Sequence, residues 1–325
     1  MHRAARFFSS CALVATVAGC QGGSSPAVPG LGAAAAVARH AATGPLFVGF
    51  WESWSDWDKH TPYHSLGLIP STVGNVDVAF SEMDEQNQVT DPQNTYPLKP
   101  GIDAIHADGG AVLLSIGGAS STFNITDVGQ FETNLGAYFA AHAGYYDGVD
   151  FDDETGSSNT ASLLTSLANQ TRANFPSAVV SFDAFMGGAD PANPYEAAVL
   201  QNAASALSYV NVMDYDQYGY KPSNHPNCTF AAGAKDDCYL DVLDNFAAVQ
   251  LPGGGTFPVG KIVMGLMIGP ADDGVVITPH DAATYAAWVR AHGYGGIMIW
   301  DVDRDGPKTT GHPKGTYVTT IGKAL

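Results

Sequence analysis

The sequence predicts a single (β/α)8 TIM barrel of the α/β class over residues 44–325. Two observations carry that reading. Eight short, apolar, β-rich runs recur along this stretch, and segments with helical start and stop signals separate several of them. Eight such alternations in about 280 residues is the count of a closed barrel. A doubly wound open sheet is the runner-up. It would carry a glycine-rich phosphate loop after its first strand, where this chain has the aromatic GFWESW. No second domain and no internal repeat is visible.

The runs, in order, are LFVGFW (46–51), NVDVAF (75–80), AVLLSI (111–116), DGVDFD (147–152), AVVSFD (178–183), YVNVMD (209–214), KIVMGLM (261–267) and GGIMIW (295–300). Three helices have readable ends. One starts at a capping Asp127 and stops at Gly144. A second starts at Asn159 and stops before Pro176. A third has Thr278 as N-cap, Pro279 at the first helical position and Gly293 as its stop. In barrels of this kind the chemistry sits at the C-terminal ends of the strands. FWESW, FSEMD, SIGG, DFDDE, FDAF, MDYDQY and IWDVD all fall there, so acids and aromatics gather at one rim, as a sugar-binding groove requires. Trp51, Trp54 and Trp57 are read as part of that groove, with core packing as the alternative.

Residues 1–43 lie outside the barrel. MHRAARFF is basic and the following apolar run is too short to span a membrane, which is the pattern of a secretory signal over residues 1–19. The signal ends in VAGC, a pattern similar to the lipobox of bacterial lipoproteins, with Cys20 as the lipidated residue. An ordinary signal peptide cut after Ala35 or Ala36 is the alternative. Residues 20–43 are rich in Gly, Ala, Ser and Pro and read as a tether. The expected location is therefore outside a bacterial cell, lipid-anchored to a membrane or the cell surface, or else secreted. Export also favours a disulfide between the two remaining cysteines, Cys228 and Cys238.

Thirty-two Asp and Glu against 14 Lys and Arg give a net charge of −18. Nucleic acid and anionic lipid surfaces need a basic face and are set aside as partners. A neutral polysaccharide suits the balance, and a monomer is the expectation.

The segment YYDGVDFDDETG (145–156) carries five carboxylates: Asp147, Asp150, Asp152, Asp153 and Glu154. Strand side chains alternate faces. With Val149 and Phe151 turned toward the helices, Asp150, Asp152 and Glu154 line the interior and Glu154 reaches the rim. Asp147 falls at the strand start as a structural turn residue. A row of stacked carboxylates shares protons, and at least one pKa rises. A raised carboxyl at the rim is what a general acid needs near neutral pH, and glycoside cleavage is the chemistry that asks for it. Calcium is the competing reading. Asp150-x-Asp152-x-Glu154 imitates the start of an EF-hand loop but has Thr155 at the sixth position and Ala161 at the twelfth. DVDRDG (301–306) matches positions one, three, five and six and has His312 at twelve, which leaves a cation at Asp301, Asp303 and Asp305 open.

At this point the sequence resembles glycoside hydrolase family 18, the chitinases and endo-β-N-acetylglucosaminidases. The family's fourth-strand pattern D-x-x-D-x-D-x-E is met by Asp147, Asp150, Asp152 and Glu154. LLSIGG (113–118) is similar to its third-strand S-x-G-G, with Ser115, Gly117 and Gly118. NVMDYDQY (211–218) is similar to its sixth-strand M-x-Y-D, with Met213, Tyr215 and Asp216. GGIMIWD resembles its eighth strand, whose tryptophan floors the −1 sugar subsite, here Trp300. VGFWESW resembles its first strand, and the resemblance spans residues 46–301.

The resemblance implies residue roles. Glu154 would protonate the glycosidic oxygen and later activate water. Asp152 would hold the substrate's 2-acetamido N–H, and the acetamido oxygen would attack the anomeric carbon in place of a second carboxylate. Asp150 would share a proton with Asp152. Tyr215 would meet the acetamido carbonyl side and Asp216 the same sugar. Phe50, Trp51, Ser115, Gly117, Gly118, Met213, Gln217 and Trp300 are the further substrate-binding candidates. No metal or organic cofactor enters this chemistry. Two details depart from the chitinase pattern. Asp153 stands where an apolar residue is usual, a detail closer to the bacterial endoglycosidases that cut the core of N-glycans. Only residues 268–294 separate the last two strands, too few for the α+β insertion that walls a deep tunnel, so an open groove and endo cleavage follow. The leading expectation is an exported, lipid-anchored, retaining endo-chitinase. The rivals are an endo-β-N-acetylglucosaminidase, a non-catalytic sugar-binding lectin and a cation-binding surface protein.

Overall fold

The structure is a computed structural model; it describes residues 44–55, 60–94, 97–156, 160–216 and 218–325. Eight parallel strands close into one barrel: β1 (Leu46–Glu52), β2 (Asn75–Ser81), β3 (Ala111–Gly117), β4 (Gly148–Asp152), β5 (Val179–Phe185), β6 (Val210–Met213), β7 (Ile262–Met267) and β8 (Gly296–Trp300). Each strand pairs with its sequence neighbours, and β8 closes the ring on β1 with Leu46 opposite Gly296. The eight strands coincide with the eight predicted runs to within about two residues at either end.

The two periods of the sequence set the two layers. On β1 Phe47 and Trp51 turn outward to the helices, while Val48 and Phe50 turn inward. On β4 Val149 and Phe151 turn outward, which sends Gly148, Asp150 and Asp152 inward. The outer layer holds the large apolar core between strands and helices. The inner layer is divided. On the side of β1, β7 and β8 it is apolar, with Val48, Phe50, Val263 and Met298. On the side of β2 to β6 it carries buried polar side chains: Asn75, Asp77, Ser115, Asp150, Asp152, Ser181, Asp183 and Asn211. Burying that many carboxyls requires protonation or hydrogen bonds, because unpaired charge in this interior costs on the order of several kcal/mol per ion.

The helices end at or within about three residues of their signals; Asn159, the expected start of the second, lies outside the described residues. α2 (Val128–Ala141) is capped by Asp127, whose side chain accepts from the Gln130 N–H at 3.0 Å. α3 spans Thr160–Asn174. α6 (Pro279–His292) has a full capping box between Thr278 and Asp281, and Gly293 closes it in the left-handed conformation at φ 72°. The remaining helices are α1 (Lys99–Ala107), α4 (Ala197–Ala203), α5 (Cys238–Ala247), α7 (Pro307–Thr310) and α8 (Thr316–Ala324). Among the described residues β1 and β2 are joined by 3-10 turns without an α-helix. Between β7 and β8 lie only a short antiparallel ladder, Gly269–Pro270 with Val276–Ile277, and α6. The expected absence of room for a wall-forming insertion holds, since this whole segment is described.

The disulfide between Cys228 and Cys238 is formed, and both residues are buried. Among the described residues no helix is long and apolar enough to cross a membrane. The proposed signal, Cys20 and the tether lie outside the described residues.

Candidate active site

A cleft of ≈ 380 Å³ opens at the mouth of the barrel. Of the candidates from the sequence, Phe50, Gly117, Asp152, Glu154, Tyr215, Asp216 and Trp300 line it. Residues not singled out as binding residues line it as well, among them Phe80, Met267 and Asp183. Trp54, read as part of the groove, is there too. Trp57 and Gln217 lie outside the described residues.

The aromatic wall comes from β1, β2 and β8. Trp54 stacks on Phe80 at 5.9 Å between ring centroids, and Phe80 stacks on Trp300 at 5.5 Å with the planes 15° apart. Phe50 packs against Trp300 at 5.5 Å, tilted by 59°. Trp54 keeps 38 % of its surface exposed at the open end of this platform. Flat apolar rings of this kind meet the apolar faces of sugar rings. Trp51 belongs elsewhere. It follows Phe50 directly, so it faces the opposite side of the strand; it is 1 % exposed, and its indole N–H donates to the Tyr63 carbonyl at 2.6 Å. The expectation that Trp51 binds substrate is corrected on that ground.

Three other candidates support the site without lining it. Ser115 is fully buried and its hydroxyl donates to Asp150 at 2.9 Å. Met213 packs into the inner apolar cluster that also holds Phe50, and Met267 takes the cleft wall. Gly118 lies against the Phe80 ring, which a Cβ would approach to 2.5 Å, and its N–H donates to the Asp152 carbonyl at 2.9 Å. Gly117 is the tightest position. It sits at φ 123°, and a Cβ there would lie 2.0 Å from the Asp152 carbonyl oxygen. Gly117→Ala should therefore push the end of β4 out of place and cost about 2–4 kcal/mol of stability. Chemical denaturation and turnover measured together check this: a fully active, equally stable variant would contradict the close approach.

The acidic row extends across three strands, β2, β4 and β5. Asp150 accepts from the Ser115 hydroxyl at 2.9 Å and from the Ser181 hydroxyl at 2.7 Å. The Asp183 carboxyl on β5 lies close by, close enough to perturb it. Burial and the neighbouring Asp150 and Asp152 charges push Asp183 well above the carboxylate range. Asp150 has this carboxyl neighbour on the next strand, because β5 brings Ser181 level with Asp150 and Asp183 two residues further on. Asp152 Oδ1 is buried without a hydrogen-bond donor. Burial first, then Glu154 and Asp150, raises Asp152 well above its usual range. Asp77 on β2 completes the row, also raised by burial and by Asp150.

Glu154 lies at the top. Burial raises its pKa to about 7, and the Asp216 charge adds to the rise. Asp216 itself sits at φ 50° and accepts from the Asp272 N–H at 2.5 Å, which aims it at the cleft. A general acid must be protonated, so activity should fall as pH rises through about 7. Asp216→Asn removes the nearby negative charge, lowers the Glu154 pKa, and should move the alkaline limb of kcat/KM to lower pH. A limb that stays in place or moves upward would show that Asp216 does not act on Glu154.

Asp147 and Asp153 are both structural. Asp147 Oδ2 accepts from the Val112 N–H at 2.8 Å and lies 2.9 Å from His106 Nε2, as expected for a turn residue. Asp153 faces away from the cleft. It accepts from the Thr155 N–H at 3.0 Å and from the Thr160 hydroxyl at 2.8 Å, and so ties the end of β4 to the start of α3. The EF-hand imitation at 301–306 is not formed. Residues 302–304 make a 3-10 turn, and Asp305 is committed to the start of α8, accepting from the Tyr317 and Val318 N–H groups at 3.1 and 2.9 Å.

With this geometry in view, the comparisons with known proteins decide the family. The model of glycosyl hydrolases family 18 matches residues 46–268. The chain belongs to glycosyl hydrolases family 18. It is a glycoside hydrolase with the family's barrel. The match ends before β8, so the Trp300 position rests on the geometry above. A family 18 chitinase from Chromobacterium violaceum superposes with a TM-score of 0.66 at 20% identity, covering 86% of this chain and 83% of that one. A family 18 chitinase from Pseudoalteromonas aurantia gives 0.64 at 16% identity, over 86% and 99% of the two chains. YKL-39, solved in the presence of chitooligosaccharides, gives 0.65 at 15% identity, over 86% and 99%. At these identities the likeness concerns the fold. No curated protein sequence matches the chain.

Proposed function

We propose that this family 18 hydrolase cleaves β-1,4-linked N-acetylglucosamine glycans of the chitin type, within the chain and with retention of configuration. The observation that carries the reading is the meeting of Glu154, Asp152 and Tyr215 over the Trp300 platform in one cleft. Trp300 would support the sugar whose bond breaks. Glu154, held protonated up to about pH 7, would donate its proton to the leaving oxygen. Asp152 would accept the acetamido N–H, for which its unpartnered Oδ1 is suited. Tyr215, whose phenol is kept neutral by burial and by the acids around it, would donate to the acetamido oxygen side. The acetamido oxygen then bonds to the anomeric carbon as the glycosidic bond breaks. Glu154, now a carboxylate, takes a proton from water as that water opens the cyclic intermediate. Asp150, held by two serine hydroxyls, would fix the negative charge below Asp152.

Chitin is favoured over the N-glycan core because the one residue that pointed to endoglycosidases, Asp153, faces away from the cleft and serves α3. The test is the product profile from colloidal chitin beside that from a high-mannose glycoprotein. Chito-oligosaccharides from the first and no released glycan from the second are expected. The reverse would transfer the assignment to endo-β-N-acetylglucosaminidase, and binding without any product would make the protein a lectin.

We also propose export and anchoring through a lipid on Cys20, with Gln21 at the second mature position suiting an outer membrane where the host has one. Cys20→Ser should release the protein from the detergent phase with its turnover unchanged. A mutant that partitions as the wild type does would refute the anchor.

A further inference from the structure

A second cleft of ≈ 320 Å³ adjoins the first, and Trp54 and Arg304 line both. Its wall includes two acids that the reaction above does not use, Glu52 and Asp303, and Asp301 is buried beside them. Glu52 ends β1, Asp301 follows β8 directly, and Asp303 lies in the 3-10 turn 302–304. One carboxylate oxygen from each lies within 4.8 Å of the other two.

Each aspartate spends one oxygen on the local backbone. Asp301 Oδ1 accepts from the Arg304 N–H at 3.0 Å, and Asp303 Oδ2 accepts from the Glu52 N–H at 2.8 Å. The other oxygen of each, Asp301 Oδ2 and Asp303 Oδ1, is buried with no hydrogen-bond partner. Asp301 is fully buried and Asp303 only 6 % exposed. Orphaned carboxylate oxygens at such depth are costly and call for a partner. Arg304 does not supply it: its guanidinium donates to the Ile268 carbonyl at 2.7 Å and the Pro270 carbonyl at 2.6 Å. One shared proton can join two carboxyl groups, Glu52 with Asp301. It leaves Asp303 Oδ1 alone. A cation engages all three together.

We propose that Glu52, Asp301 and Asp303 bind a hard divalent cation of the Ca²⁺ class. Oxygen ligands on one Ca²⁺ at about 2.3–2.6 Å are at most about 5 Å apart, so the three oxygens fit around a single ion. The ligands are all carboxylate oxygens, which select hard cations over thiophilic ones. Glu52 and Asp303 both line the cleft, which gives the ion an entry path and room for its remaining waters. The site joins the end of β1 to the turn after β8, where the barrel closes. Trp300 precedes Asp301 and Trp54 lies two residues past Glu52, so the ion fixes both ends of the aromatic platform. The partner set differs from the linear D-x-D-x-D pattern: Glu52 replaces Asp305, which holds α8.

The test uses the full chain, dialysed against EDTA and then freed of it. Equilibrium dialysis with Ca²⁺ should give one ion per chain, and Tm should rise with Ca²⁺ concentration and not with NaCl at equal ionic strength. Glu52→Gln and Asp303→Asn should each weaken Ca²⁺ binding about ten-fold or more. Asp305→Asn should lower Tm and leave the affinity unchanged. On the unmodified chain, Tb³⁺ luminescence excited through tryptophan and displaced by Ca²⁺ reads the site without any variant. Absence of both Tb³⁺ luminescence and Ca²⁺ uptake would overturn the proposal. So would an affinity unchanged in Glu52→Gln and Asp303→Asn, which would place the ion elsewhere, or a Tm rise that NaCl reproduces.

Discussion

Glu154→Gln should lower turnover by about 10²–10⁴ while the protein stays folded and still binds oligosaccharide. The change keeps the shape of the side chain and takes away the proton it delivers. In free-energy terms the loss is about 3–5 kcal/mol of transition-state stabilisation. Glu154 is raised to about 7 by burial and by Asp216, so the wild-type enzyme has a supply of the protonated form near neutrality that an ordinary exposed glutamate lacks. Glutamine also ends the alkaline titration, so whatever rate remains should no longer fall through pH 7. The measurements are kcat on a fluorogenic chito-oligosaccharide, its pH profile, and binding of chitotetraose by calorimetry. Near-wild-type turnover would remove Glu154 from its role. Loss of binding together with turnover would point to a misfolded site.

Substrates without a 2-acetamido group should not be cut at all, and this all-or-none effect separates the proposed mechanism from its alternatives. The acidic row runs vertically, with Asp150 and Asp152 beneath Glu154 on one strand. An inverting enzyme instead needs a base across the sugar, roughly 6.5–9.5 Å from the acid, to activate water directly. Asp183 and Asp216 come from other strands and line the same cleft. Burial, and then the Asp150 charge, raises Asp183 well above its ordinary range. With the acetamido group as nucleophile, three results should coincide. The first product should keep the β configuration, cellulose oligomers should remain intact, and a thiazoline analogue of the cyclic intermediate should inhibit competitively. Tyr215→Phe should weaken that inhibitor. An α-anomer in the first NMR trace, before mutarotation, would mean that water attacks directly.

Much of this was legible in the chain because it depends on periodicity over a few residues. The outward turn of Val149 and Phe151 places Asp150 and Asp152 inside by alternation alone. Asp127, Thr278 and Gly293 mark helix ends by their own hydrogen bonding and backbone preference. The same alternation separates Phe50 from Trp51: neighbours on a strand cannot both face the interior, and treating both as sugar-binding set that rule aside. Phe80 and Met267 carried no sequence signal beyond being apolar residues at strand ends, where core packing is the ordinary role.

The sequence by itself determined the eight strands, the layer each side chain enters and the carboxylates on β4. Only the tertiary structure decided their partners. Asp150 lies beside Asp183 because β4 and β5 pair with Asp150 level with Ser181. Glu52 lies beside Asp301 and Asp303, some 250 residues later in sequence, because β8 closes on β1. Alternation is a local consequence of backbone geometry and can be read from a few residues. Lateral contacts depend on strand register around a closed ring, which no single segment encodes. Proton sharing, and any site for a cation, arises from those lateral contacts, since carboxyl groups perturb one another only at distances of a few ångströms.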